Sequence, residues 1–278
     1  MLYIFIIHDI LIFVIKLIYY KKYNGVKMTK IISMCQHKGG VGKTTSTAQI
    51  GAALALKKKK TLLIDLDPQA NLTRIMGVEP NLDSNIYTML KGESEVTTLE
   101  VSKNLHLIPA DISLFEAERQ FIGQGREAKL RNLLKLIKDD YDVILIDCCP
   151  GVGTLLTMSL LSSTDVLLPI ETEYLALHGI SIITNLINDI KELNTELKLS
   201  GAFATKFDQR RAIDRQVNNE IKNIFADLAF KTPIRKNVAL VEAGASGKSI
   251  FEYNKKCNGA EDYKNLTNEI IKRILNNG

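Results

Sequence analysis

The sequence predicts an α/β fold, a mostly parallel sheet with helices on both faces. Short apolar runs recur at residues 30–35, 61–66, 105–109, 143–147, 166–170 and 201–207. Stretches with helical spacing separate them. The runs are apolar throughout rather than alternating, as strands covered on both faces are. The chain has 278 residues and is 46% apolar, enough to bury one large core. No Pro/Ser-rich linker and no internal repeat divides it, so residues 28–278 read as one domain behind an apolar extension, 1–27. In such a sheet a ligand sits at the carboxyl ends of the strands. Here that means the loops after Cys35, Asp67 and Asp147.

The first strand carries the main motif. Ile31-Ile32-Ser33-Met34-Cys35 leads into Lys38-Gly39-Gly40-Val41-Gly42-Lys43-Thr44-Thr45, and a helical stretch follows from Thr47 to Leu56. Strand, glycine-rich loop and helix in this order form a phosphate-binding loop. Gly39, Gly40 and Gly42 allow a tight turn that points N–H groups inward. The helix adds its positive N-terminal end. Lys43 is placed to reach β- and γ-phosphates, and the Thr44 hydroxyl to ligate Mg²⁺. The loop departs from the general pattern: His37 stands where a glycine is usual, and Lys38 adds a second lysine.

The second strand, 61–66, ends in Asp65-Leu66-Asp67-Pro68-Gln69-Ala70-Asn71. Alternation along a strand points Asp65 and Asp67 the same way. The run Tyr141 to Asp147, followed by Cys148-Cys149-Pro150-Gly151, is a buried strand with a carboxylate at its end. Further on come Glu173-Tyr174-Leu175-Ala176-Leu177-His178-Gly179, Thr205-Lys206-Phe207-Asp208-Gln209-Arg210, Ile234 to Lys248, and Asn258-Gly259-Ala260-Glu261-Asp262-Tyr263.

As a set these segments resemble the deviant Walker A P-loop NTPases of the ParA/MinD family, and the ParA/Soj-type partition ATPases within it. The likeness runs from about Thr29 to Ile274. It implies the following. Residues Lys38 to Thr45 bind ATP, with Lys38 crossing to the nucleotide of a second protomer so that a homodimer sandwiches two ATP molecules. Lys38, Lys43 and Asp67 are catalytic, with Asp67 positioning the attacking water. Thr44, Asp65 and Asp147 hold Mg²⁺, the carboxylates through its water shell. From local sequence alone, Lys38 reads equally well as a solvated loop lysine, and each aspartate as a turn or helix cap.

Net charge is +5. The extension carries +3 of it, from Lys16, Lys21, Lys22 and Lys27 against Asp9. Bulk charge therefore does not establish nucleic-acid binding, and local clustering must. Arg210, Arg211, Arg215, Lys222 and Lys236 gather in one segment, and Arg211, Arg215 and Lys222 share a helix face at spacings of four and seven. They read either as a solvated face or, by the resemblance, as contacts to double-stranded DNA of any sequence. Neither Arg211 nor Arg215 is expected near the phosphates. The resemblance also implies a ParB-like partner that stimulates hydrolysis, and a cytoplasmic, nucleoid-associated protein that segregates a plasmid or chromosome.

Residues 2–20 approach the ~20 apolar residues a membrane helix needs, broken by Asp9 and Lys16. Met28-Thr29-Lys30 then looks like an ordinary ParA start, so Met28 is the expected natural start and a membrane anchor the alternative. A MinD-like membrane-associated ATPase is the competing function. Cys35, Cys148, Cys149 and Cys257 show no C-x-x-C spacing, which argues against a metallocluster scaffold and for a reducing compartment.

Overall fold

The structure is a computed structural model that describes residues 28–123, 125–173 and 179–276. The membrane-helix and start-site readings of 1–27, and the 174–178 part of the Glu173–Gly179 motif, lie outside the described residues. Seven strands form one sheet: β1 (Lys30–Met34), β2 (Thr61–Leu66), β3 (Leu99–Ser102), β4 (Leu105–Ile108), β5 (Val143–Cys148), β6 (Asp165–Glu171) and β7 (Lys198–Thr205). Their order is β3-β4-β2-β5-β1-β6-β7. All neighbours are parallel except β3 and β4. The helices are α1 (Lys43–Leu56), α2 (Asn71–Ile75), α3 (Ile86–Lys91), α4 (Ala117–Gln120), α5 (Lys129–Ile137), α6 (Thr154–Ser162), α7 (Ile180–Lys191), α8 (Ala212–Phe225), α9 (Val238–Ala245), α10 (Ile250–Tyr253) and α11 (Asn258–Ile270).

The six expected strands are present, and β3 is the addition. Its Leu-Glu-Val-Ser run is short, mostly exposed and bulged between Glu100 and Ser102. Such an edge strand carries little apolar signal for a sequence reading to find.

Alternate residues of the central strands feed two separate cores. Leu62, Ile64, Ile144 and Ile146 pack beneath α3, α5, α6, α7 and α8. Ile32, Met34, Leu63, Val143 and Leu145 pack against α1 and α11. Helix α1 is buried on nearly every side, and small side chains make this possible. A Cβ on Gly51 would come within 2.6 Å of Leu63 Cδ2. The hydroxyls of Ser46 on α1 and Tyr263 on α11 meet at 3.0 Å, giving each a partner in the core. Burial pushes the Tyr263 phenol well above its ordinary pKa, so it stays neutral.

At the β7 edge, Phe230 packs edge-on against Phe203 and under the Arg273 guanidinium. A Cβ added at Gly201 would lie 2.1 Å from Phe230 Cε2. Gly201→Ala therefore forces the ring or the strand to move, at a cost of about 1–3 kcal/mol. Urea unfolding should show the lower midpoint. Combining it with Phe230→Leu should cost less than the sum of the two single changes; strict additivity would refute the clash.

Candidate phosphate-binding site

The loop between β1 and α1 takes the left-handed conformation at Gly40 (φ 74°) and Gly42 (φ 92°), where a side chain would be strained. Gly42 is the N-cap of α1 and offers no side-chain acceptor. The first-turn N–H groups of α1 are thus left for an external anion. The loop is pinned from two sides. Thr205 Oγ1 at the end of β7 donates to Val41 O at 2.8 Å, and Gly151 N donates to His37 O at 3.0 Å. Lys43 is buried; its Nζ donates to Gln36 O at 3.2 Å and Lys38 O at 3.3 Å. No carboxylate pairs with it among the described residues, so its charge remains available to a phosphate.

The strand register places the acids. Asp147 of β5 lies abreast of Met34 on β1 and Asp65 on β2. Asp65 and Asp147 continue the strand faces that carry Leu63, Val143 and Leu145 of the α1-side core, and both are fully buried. The Asp65 oxygens are committed. One accepts from Asp67 N at 3.2 Å, the other from Thr73 N at 2.8 Å and Thr73 Oγ1 at 2.7 Å. Burial still raises its carboxyl to about 6 against those donors. Asp147 is less satisfied. Its Oδ1 has a long contact of 3.5 Å from Thr47 Oγ1, and its Oδ2 has no partner. Burial, then the neighbouring Asp65 charge, hold this carboxyl well above the ordinary range, and the Thr44 hydroxyl in its reach acts the other way.

An orphaned carboxylate oxygen costs free energy unless something joins it. The all-oxygen set of Asp147 and Thr44 suits a hard cation such as Mg²⁺. Asp65, with both oxygens spent, would reach such an ion only through water. Asp67 follows β2 and is nearly buried; its Oδ1 accepts from Gln69 N at 2.9 Å.

Lys38 lies on the other rim of the loop. Its Nζ donates to Glu173 Oε2 at 2.6 Å and stands 3.7 Å from Glu171 Oε2. Lys206 Nζ holds the other Glu171 oxygen at 2.8 Å. The pairing raises the Lys38 pKa and lowers that of Glu173, the Glu173–Lys38 hydrogen bond leading in each case. Sequence reasoning named Glu173 only as part of a family segment without a partner, and it missed Glu171 and Glu118. The Glu118 carboxylate accepts from Thr154 N at 2.7 Å and Leu155 N at 3.2 Å, capping α6 directly behind the loop that follows Asp147.

Beside the loop lies a cavity of about 360 Å³, bounded by Gly42 and Thr45 on one side and by Arg211, Lys236 and Tyr263 on others. The expectation that Arg211 stands clear of the phosphates is therefore corrected: it lines the same cavity as the loop. The reason is Asp214, buried one turn later, which lies 3.4 Å from Arg211 Nε and anchors the start of α8 through Thr172 Oγ1 and Asp208 N. The other basic residues differ among themselves. Arg210 forks onto Asp208, Arg215 donates to Gln209 O and Arg210 O, and Lys222 and Lys236 are exposed.

Comparison with known proteins places this site in context. The family described as "AAA domain" matches residues 29–199. The sporulation initiation inhibitor protein Soj of Bacillus subtilis is 40% identical over 252 residues, covering 87% of this chain and 98% of Soj. The chromosome partitioning protein ParA of Myxococcus xanthus is 37% identical over 250 residues, covering 88% of each chain. Among solved structures, cobyrinic acid a,c-diamide synthase from Mycobacterium smegmatis, with bound ADP and magnesium, superposes with a TM-score of 0.77. It is 31% identical, over 88% of this chain and 95% of that one.

The buried acids make a pH prediction. Both carboxyls bind protons more tightly folded than unfolded, so their ionisation opposes folding. That penalty grows as pH rises from the ordinary carboxylate range, through about 6 for Asp65 and through the likewise raised range of Asp147, and is relieved on acidification. Without nucleotide or metal, Asp147→Asn should melt above the parent at pH ~7.5, and the gap should narrow by pH ~5, each pKa unit being worth about 1.4 kcal/mol. A variant that melts lower at both pH values would refute the reading.

Proposed function

The chain belongs to the ParA/Soj family of partition ATPases, and from that footing we propose that it binds ATP with Mg²⁺, dimerises around two nucleotides, binds duplex DNA without sequence preference, and hydrolyses ATP when a ParB-like partner stimulates it. One observation carries the nucleotide part: the orphaned Asp147 oxygen on the α1 side of the sheet, near the uncapped N-terminus of α1.

The bound metal would neutralise charge on the β- and γ-phosphate oxygens. Every other role falls to the chain. The N–H groups from Gly39 to Thr45 orient the phosphates, and Lys43 leaves its two carbonyl partners to meet them. Thr44 and Asp147 would hold the metal, Asp65 would support it, and Asp65 braces the segment from Asp67 to Thr73. Asp67 orients the attacking water and accepts its proton. Lys38 exchanges its Glu173 partner for the phosphates in the partner protomer. The exchange couples dimerisation to the triphosphate, since only a strong anion compensates the lysine for the pair it gives up.

For the DNA surface, Arg210, Arg211, Arg215, Lys222 and Lys236 remain the candidates. Lys222 and Arg215 are the residues to test, because neither borders the loop cavity, whereas Arg211→Glu would alter the nucleotide cavity as well. Phosphate contacts would supply the affinity, and two protomers joined by nucleotide would double them. Among the described residues no helix is long and apolar enough to cross a membrane.

Two experiments test this reading. In the first, Lys43→Ala should abolish ATP binding by calorimetry, while Lys38→Ala should keep affinity within about threefold (~0.6 kcal/mol) yet give no ATP-dependent dimer by light scattering. Equal loss of affinity in both variants would remove the role across the dimer. In the second, ATP but not ADP should promote binding to duplexes of unrelated sequence, falling steeply with salt at about 0.9 counterion per phosphate contact. Arg215→Glu with Lys222→Glu should weaken that binding at least ~tenfold and leave dimerisation unchanged. Retention on anionic vesicles in place of duplex would favour the MinD-like reading.

A further inference from the structure

A second hollow lies elsewhere in the described protein. A cavity of about 670 Å³ opens beside the C-terminal turn of α1, bounded by the β3–β4 turn, α10 and α11. Helix α1 is 14 residues long, so at ~1.5 Å per residue its mouth lies about 20 Å from the phosphate loop. The volume lies within the range of ligand-binding clefts.

Its lining has two parts. The floor is apolar: Ala52, Leu56, Met76, Val101 and Phe251. Leu56 is 68% exposed there, leaving apolar surface open to a ligand. The rim is cationic: Lys58, Lys103, Lys248, Lys255 and Lys264 all line the hollow and are exposed. None of the five forms an ion pair among the described residues. One carboxylate, Glu252, joins the lining; its Oε2 accepts from Ser249 N at 3.0 Å and Ser249 Oγ at 2.7 Å in the cap of α10, so five lysines face a single acid.

The arrangement selects a ligand class by elimination. An inorganic anion would use the lysines and leave the floor wet. A neutral apolar ligand would fill the floor and gain nothing from the rim. An amphiphile with one charged head would meet one or two of five lysines distributed around the opening. Duplex DNA would meet the lysines but has nothing to insert between them. A peptide with several carboxylates around one or two large apolar side chains answers both parts at once. We propose that this hollow is a docking site for an acidic amphipathic segment of a partner protein, anchored by an apolar side chain against Leu56 and Phe251 and ringed by the five lysines.

Docking here would be independent of the phosphate loop in its contacts. It would still touch the helix that begins at that loop, and the α10 cap, where Ile250 N donates to Gln49 Oε1 of α1 at 2.7 Å.

The test uses the full chain with ATP and Mg²⁺ and a fluorescein-labelled peptide of glutamates and leucines with one phenylalanine. Anisotropy should report saturable binding that weakens as salt rises. Lys103→Glu with Lys255→Glu should weaken it at least ~tenfold by reversing two rim charges, and Leu56→Ser at least ~threefold with no change of charge. All three positions are exposed, and unaltered melting curves would confirm folded variants. Peptide binding indifferent to these changes overturns the proposal. So does the absence of peptide binding, including the case in which the same variants instead abolish binding of a duplex or of phosphatidylglycerol vesicles.

Discussion

The parallel register of β1, β5 and β2 is the constraint from which the rest of the site follows. Met34, Asp147 and Asp65 stand abreast, so the loops that leave these strands begin at the same height. Each strand is apolar on both faces because helices cover both. The acids are the exceptions, at the carboxyl ends and on the side facing α1. A shift of one residue in either pairing would move one acid to the opposite face. The buried rows of leucine, isoleucine and valine that fix the register therefore also fix the separation of the acids from the phosphate loop.

Burying two carboxyls side by side opposes folding, and the surrounding structure divides the burden unequally. Asp65 is supplied with three donors and becomes a structural brace for the segment that carries Asp67. Asp147 keeps one oxygen without a partner. A protein selected for stability alone would have satisfied both or replaced one. The imbalance is what a metal-binding carboxylate requires: it must be desolvated beforehand and still have a free lone pair. The same logic applies to Lys43, buried with only carbonyl oxygens for company. Each group is held in a state that a ligand improves.

The fold and the phosphate loop were legible in the sequence because their signals are local. Glycines at φ-positive positions, apolar runs and an Asp at a strand end all announce themselves within a few residues. The missing pieces are contacts between distant segments. Glu118 caps a helix 36 residues away, and Glu173 meets a lysine 135 residues earlier. Cys35 and Cys148, 113 residues apart, bring their sulfurs to 3.4 Å at the ends of β1 and β5, though no cysteine spacing hinted at it. Arg211 shows a different limit. Helical periodicity put Arg211 on one face with Arg215 and Lys222, but Arg211 is the extended N-cap of α8 and lines the loop cavity without them. That was decided by Asp214, a buried acid whose role depends on Thr172 and the Asp208 backbone.

The Lys38 pairing bears on the proposed dimer. Unpaired, Lys38 would add a second positive charge to the rim of a loop already carrying Lys43 and the positive end of a helix. Its pairing with Glu173, and the pairing of Lys206 with Glu171, return that rim to near neutrality. Both acids lie at or just past the end of β6, the strand next to β1. They can therefore approach the loop without disturbing the sheet. The Lys38–Glu173 pair is partly exposed, so it is individually weak and exchangeable. Weakness is useful here. A buried, tightly coordinated pair would hold Lys38 against any competitor, whereas a solvated one yields to a triphosphate bearing several negative charges. The charge that the proposed dimer needs is thus kept at the surface, neutralised but not trapped.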